Sequence, residues 1–260
     1  MTTVAEAFGV GPITRSADHR YTYDGITVPG VSGIIECIGA SFDQAAGWGG
    51  KMASQAAVRL VDELPKMIEE LGEVGAQRAL NSRTNWGPDP SGSKLGTRVH
   101  ELISQWLMHD PGLVIGSKAE EIRVEHFIKW WEASGWTLRL TEALLVHPAV
   151  LEDGWDGWGG TLDILAYDAD GKTVLADLKT GTVQRKAIIQ ITAYGMCTKV
   201  QPHGMNRVYP MPIPDRYAIL QLTEEGVREV PVNVGQRERS AFMAALDIYH
   251  WNESMKGIKL

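Results

Sequence analysis

The sequence predicts an α/β protein built on a mixed central sheet flanked by helices, and three observations carry that reading. Apolar residues recur with helical period through residues 50–80, 94–107 and 119–135. The period then changes to that of strands in WTLRLTEALLVHP (136–148), TLDILAY (161–167) and TVLADLK (173–179), and it returns to helical in KAIIQITAYGMCTKV (186–200). With 260 residues and 44% apolar content, the chain can bury a sizeable core as one domain.

Each element follows from local chemistry. HRYTYDGITVPGVSGII (19–35) alternates aromatic or β-branched with polar residues around Asp24-Gly25, which predicts a short hairpin leading into the first helix, an N-terminal flap. Pro65 starts or kinks a helix within 50–80, and NWGPDPSGS (85–93) is rich in turn formers. The helix over 119–135 ends near Gly135. YAILQL (217–222) and VREVPVN (227–233) pair as a hairpin across Thr223 to Gly226, and 235–256 forms a closing amphipathic helix. No repeat and no clear linker divides the chain. The expected organisation is one domain over 1–260: flap and helical elaboration over 1–93, core over 94–233 and C-terminal helix over 234–260.

Composition narrows the function classes. A net charge of −7 argues against non-specific coating of nucleic acid but leaves room for a local basic groove. No apolar run reaches the roughly 18 residues a membrane helix needs, and MTTVAEAFGV lacks the basic and apolar regions of a secretory signal, so a cytoplasmic protein with no membrane partner is expected. Cys37 and Cys197 are far apart without CxxC spacing, so cysteine alone builds no disulfide framework, zinc site or iron–sulfur cluster, and both read as buried free thiols. ADGKT (169–173) lacks the first glycine of a phosphate loop, and neither G-x-S-x-G nor H-E-x-x-H occurs.

The chemistry concentrates in GGTLDILAYDADGKTVLADLKTG (159–181). A two-residue loop at Asp170-Gly171 would send Asp163 and Asp177 to opposite faces; a three-residue loop, Ala169-Asp170-Gly171 with Gly171 left-handed, sets Asp168 against Lys172 and Asp163 against Asp177. Lys179 then shares their face. Two carboxylates about 5 Å apart repel by roughly 3 kcal/mol at an effective dielectric near 20. A hard cation such as Mg²⁺ or Mn²⁺ would relieve that repulsion, and so, in part, would an Asp–Lys pair on a solvated hairpin face.

G-T-L-D-I-L, a turn and V-L-A-D-L-K-T-G together resemble the core of the PD-(D/E)XK nuclease superfamily, in its RecB-like and phage exonuclease branch. Glu142 in TEALLV matches that branch's first-strand acid, GTRVHEL with His100 resembles its G-x-x-x-H helix, and Gln190 and Tyr194 in QITAY resemble its Q-x-x-x-Y helix. The flap is also similar to the opening of phage members. The resemblance spans about residues 19–250, with its elements in the family's order. It departs from the branch members that carry four iron–sulfur cysteines and from those with an ATPase motor.

What the resemblance implies is a restriction-endonuclease-like fold and a Mg²⁺- or Mn²⁺-dependent DNA exonuclease of recombination or repair, of phage type, using one or two ions and neither an iron–sulfur cluster nor ATP. Asp163, Asp177 and the carbonyl of Leu178 would hold metal, joined by Glu142 and His100; Lys179 would activate the attacking water and neutralise the phosphate. Gln190 and Tyr194 would position DNA or the neighbourhood of Lys179, Arg185 and Lys186 would contact phosphates or simply start an exposed helix, and Trp155 and Trp158 would stack on an unpaired base. Each residue also has a structural reading: Lys179 as the partner of Asp177, His100 and Glu142 as ordinary helix and strand residues, Tyr194 and the tryptophans as packing. Implied partners are DNA, a recombinase or single-strand-binding protein, and further copies of the chain, in the cytoplasm of a host if phage-encoded. A structure-specific endonuclease and a catalytically silent DNA-binding or scaffold protein are the competing functions.

Overall fold

The computed structural model describes residues 11–37, 61–83, 90–148 and 157–256. The chain divides into two compact units, one formed by 1–38 with 95–260 and the other by 39–94. The division at Lys94/Leu95 lies one residue from the expected start of the core, but the flap belongs with the larger unit.

Among the described residues, the larger unit contains ten strands: β1 Thr14–Arg15, β2 Tyr21–Tyr23, β3 Ile26–Val28, β4 Thr137–His147, β5 Trp158–Tyr167, β6 Thr173–Lys179, β7 Lys199–Gln201, β8 Tyr209–Pro210, β9 Arg216–Leu222 and β10 Val227–Val232. Seven of them form an open mixed sheet in the order β10-β9-β6-β5-β4-β7-β8, antiparallel except where β6 meets β9. One face carries α1 (Val31–Glu36), α5 (Arg185–Gly195) and α6 (Gln236–Met255), which bury Ile34, Ile191 and Phe242 against Leu145, Leu162, Leu165 and Leu175. The other carries α3 (Pro90–Leu107) and α4 (Lys118–Ser134), whose Val99, Leu102 and Phe127 pack on Ile164, Val174, Ala176 and Leu220. Helices thus cover both faces of the sheet, the α/β arrangement the periodicity predicts.

The boundaries show which local signals prevailed. Asp24 and Gly25 both take positive φ (51° and 76°), the type I′ geometry that closes β2 and β3 into a small three-stranded sheet with β1. Tyr21 and Val28 of this flap pack on Val146, and Gly30 bridges to Gly159. Ser117 caps α4, and Gly135 ends it at φ 69°. The expected helix over 186–200 stops at Gly195, where a Cβ would strike the Tyr217 ring, and Thr198-Lys199-Val200 goes into β7 instead. Part of the turn-rich stretch is also helical, because α3 begins at Pro90, a residue suited to a first helical turn.

Within 39–94 the described residues form the first turn of α3 and α2, Leu64–Arg83, which Pro65 opens and Gly72 (φ 68°, ψ 168°) breaks in two. The upstream part of the helix expected over 50–80 lies outside the described residues.

A candidate metal centre at a fault in the sheet

The β5–β6 hairpin has the three-residue connection the sequence predicts. Asp168 N donates to Lys172 O at 2.9 Å, Gly171 N donates to Asp168 O at 2.9 Å, and Gly171 sits at φ 78°. From that turn the ladder runs in register to Ile164↔Ala176, so the next positions along it are Asp163 and Asp177. There the backbone pairing gives way to a side chain: Asp163 Oδ2 accepts from Leu178 N at 2.7 Å.

The same point is a fault on the β4 side. Thr141 pairs with Ile164 and Ala143 with Leu162, but Glu142 between them adopts φ 48°, a left-handed backbone that is rare and strained outside glycine and a few polar residues. Alternation slips across it. Ala143 and Leu162 pack into the α1–α5–α6 face, whereas Ile164 packs against α3 and α4, where Thr141 hydroxyl meets Ser104. Thr141 Oγ1 also donates to the carbonyl of Asp163 at 2.8 Å, holding the two strands together at the fault.

Other elements deliver the remaining groups. Gly96 lets α3 approach the loop after β6, since a Cβ there would lie 3.1 Å from Thr180 Oγ1; one turn on, His100 Nδ1 lies 3.5 Å from Asp163 Oδ1. Lys179, on the α5 face with Asp177, reaches Asp177 Oδ2 at 2.6 Å and donates to Gln190 Oε1 at 3.2 Å, while Gln190 Nε2 donates to Tyr194 hydroxyl at 2.8 Å. Tyr194 is buried against Gly160, whose missing side chain makes room for the ring.

This group is electrostatically uneasy. Asp177 is buried, and its Oδ2, although close to the Lys179 ammonium, has no donor at hydrogen-bonding angles. Burial, which Lys179 only partly offsets, and the like charge of Asp163 push its carboxyl up to about 6. Burial and Asp163 push Glu142 up to about 7, against the pull of His100 and Arg15. Burial would raise Asp163 too, but His100, Lys179 and the Leu178 amide hold it below the usual carboxylate range. His100 and Lys179 are desolvated, yet the facing carboxylates raise both above their ordinary values.

The donors suit a hard cation in kind: carboxylate oxygens, one orphaned in the interior, with one imidazole beside them. Among the described residues, no three His, Cys, Asp or Glu side chains converge closely enough to enclose an ion in this conformation.

Two of the expected DNA contacts, Trp158 and Tyr194, need correction, while Gln190 takes up the neighbourhood of Lys179. Trp158 is buried at the start of β5, stacked on His147 at 4.2 Å and donating to Ala193 O at 3.1 Å, so it packs the core and cannot meet a base. Tyr194 is buried and spends its hydroxyl on Gln190, and Gln190 in turn serves Lys179. Arg185 is exposed and Lys186 half-buried in the first turn of α5, whereas Trp155 lies outside the described residues. The slip at Glu142 and Asp163 is what sequence reasoning missed, because no periodicity marks a position where both strands change face.

No protein-family model matches this chain, and no curated protein matches it in sequence. Among solved structures, the crystal structure of SSO0001 is 11% identical with a TM-score of 0.32, over 60% of this chain and 87% of that one, a likeness too slight to carry an argument.

Proposed function

We propose that the chain is a divalent-metal-dependent phosphodiester hydrolase acting on DNA, an exonuclease in keeping with the motifs that resemble the PD-(D/E)XK nucleases. The observation that carries the reading is the gathering of Glu142, Asp163, Asp177, Lys179 and His100 at one fault in the sheet, with a buried Asp177 oxygen left without a donor. Lys179 and His100 offset only part of the cost of burying three carboxyls together, and a bound cation would offset more of it.

Asp163 and Asp177 would hold the ion, with Glu142, His100 and the Leu178 carbonyl as further donors. When bound, the metal supplies charge neutralisation at the phosphate and a water of lowered pKa. Lys179 brings a positive charge to the same face, aimed by Asp177 and Gln190, where it can donate to a phosphate oxygen or to the attacking water. No covalent intermediate on the protein is required.

The 2.6 Å ion pair of Asp177 with Lys179, and the lack of a converged trio of ligands among the described residues, favour a second reading, a DNA-binding protein without catalysis. Linear and covalently closed circular duplex DNA, incubated with the wild type and Lys179→Ala in Mg²⁺, Mn²⁺ or EDTA, separates the two. Metal-dependent loss of linear DNA alone, reduced at least 100-fold in the variant, is the expected result. Cutting of the circle would make the enzyme an endonuclease, and binding without cutting under any metal would leave the second reading standing.

A further inference from the structure

A groove on the far side of β4 from β5 is unlike the rest of this acidic molecule. β7 pairs with β4 only over Leu144 to Val146, which leaves the earlier part of β4 without a strand partner on that side. A cavity of about 520 Å³ lies there, lined by Arg139, Leu140, Pro202, Met205, Tyr209 and Pro212 among others, with no carboxylate in its lining. Met205 (51% exposed) and Tyr209 (38% exposed) present a thioether and a ring to solvent. Two arginines stand by it: Arg207 lies 5.3 Å over the Tyr209 ring, and Arg139 lines the cavity with its guanidinium 4.6 Å over Tyr167 of the neighbouring β5. Neither arginine makes an ion pair among the described residues, so both charges remain available.

We infer that this groove binds a single-stranded stretch of DNA, a reading that rests on the nuclease function proposed above. Flat apolar surfaces stack on bases regardless of sequence, and arginines at their edge meet the phosphates. Strand addition by a protein partner suits this open stretch of β4 poorly, because its register is irregular between Leu138 and Leu140 and Glu142 takes a left-handed backbone. Arg139 lies three residues along β4 from Glu142, roughly 10 Å at the rise of a strand, so a strand held in the groove would lie close to the candidate metal centre.

The test is fluorescence anisotropy of a labelled 12-nucleotide oligo(dT) in EDTA between 50 and 300 mM salt, with wild type, Tyr209→Ala, Tyr209→Phe, the pair Arg139→Ala and Arg207→Ala, and Arg228→Ala as an exposed control on β10. Tyr209→Ala should weaken binding roughly 5- to 10-fold while Tyr209→Phe keeps it, and the arginine pair should lower the salt slope by about 1.4, with Arg228→Ala unchanged. Should Tyr209→Ala lower the melting temperature, the exposed arginine pair decides. Binding unaltered in all the groove variants, or insensitive to salt, overturns the inference. Because no cleavage is read, the two ideas fail separately: DNA cut by a protein whose groove variants bind normally removes only the groove, and groove-dependent binding without cleavage removes only the nuclease.

Discussion

The β5–β6 hairpin carries charge at both ends and treats it in opposite ways. At the turn, Arg216 donates to Asp168 at 2.8 Å and to Glu229 at 2.7 Å and lies 5.3 Å over the Trp136 ring, so the charges of this cluster are paired with one another. Asp168 also accepts from the amides of Asp170 and Lys172, and these bonds hold its carboxyl below the ordinary range despite partial desolvation. At the other end, Asp177 has an ion pair without a hydrogen bond, Glu142 is pushed up to about 7, and Glu142 occupies a left-handed backbone position. One cluster is built to be complete. The other carries desolvated carboxyls and a strained Glu142 backbone, the features that the metal-dependent function proposed above would use.

That contrast is broken most directly at Arg216. Arg216→Ala strands two carboxylates and removes the contact with Trp136, and is expected to cost about 2–3 kcal/mol in urea unfolding while DNA cleavage per folded molecule stays at the wild-type rate. A loss of cleavage at unchanged stability would place the turn cluster in the function and dissolve the comparison. Glu142→Gln sharpens it from the other side. A carboxyl whose folded pKa lies above its unfolded one binds its proton more tightly in the folded protein; its contribution is complete below the unfolded value and is lost as pH rises through the folded one, here about 7 for Glu142 and about 6 for Asp177. In EDTA the wild type should therefore lose stability between about pH 4.5 and pH 7.5. Glu142→Gln should flatten that loss and melt higher than the wild type at pH 8, by an amount on the order of 1–2 kcal/mol. Equal pH profiles for the two proteins in thermal melts would show that Glu142 carries no such load.

Much of this was legible in the residues. The three-residue turn follows from Gly171, and with it the approach of Asp163 to Asp177, because hairpin register depends on loop length and a period of two. His100 is readable as one helical turn beyond Gly96, and the helix end at Gly135 follows from capping chemistry, whereas the start of α3 at Pro90 lies inside a stretch that reads as turn. The fault at Glu142 was not legible, since it depends on which sheet face each side of β4 and β5 can bury, a property of α3 and α5 as much as of the strands. Trp158 misled for a related reason: a tryptophan among glycines reads as a loop, whereas Gly159 and Gly160 belong to β5 and clear space for Tyr21 and Tyr194. β7 was hidden because the apolar run after Gly195 continues the helical spacing, although the chain turns there and enters the sheet at Lys199.

The smallest expected effect lies in Gln190, and it tests whether the incomplete cluster extends into α5. Gln190 accepts from Lys179 through Oε1 and donates to Tyr194 through Nε2, and the ammonium, which can only donate, dictates which end faces it. Gln190→Leu removes a neutral acceptor from the ammonium without adding charge. The protonated lysine then loses one stabilising bond, and its pKa should fall toward the ordinary value while Asp177 still holds it up. Cleavage is expected to drop about 5-fold in kcat with KM nearly unchanged, and the alkaline limb of the pH–rate profile should move to lower pH if the charged lysine is the active form. Tyr194→Phe, which leaves Gln190 Nε2 without its acceptor and loosens the amide, should give a weaker version of the same shift. If instead Gln190→Leu lowers stability as much as Arg216→Ala and leaves the profile in place, the Lys179–Gln190–Tyr194 chain belongs with the fastening at the turn, and the boundary between the two kinds of charge runs between Asp177 and Lys179.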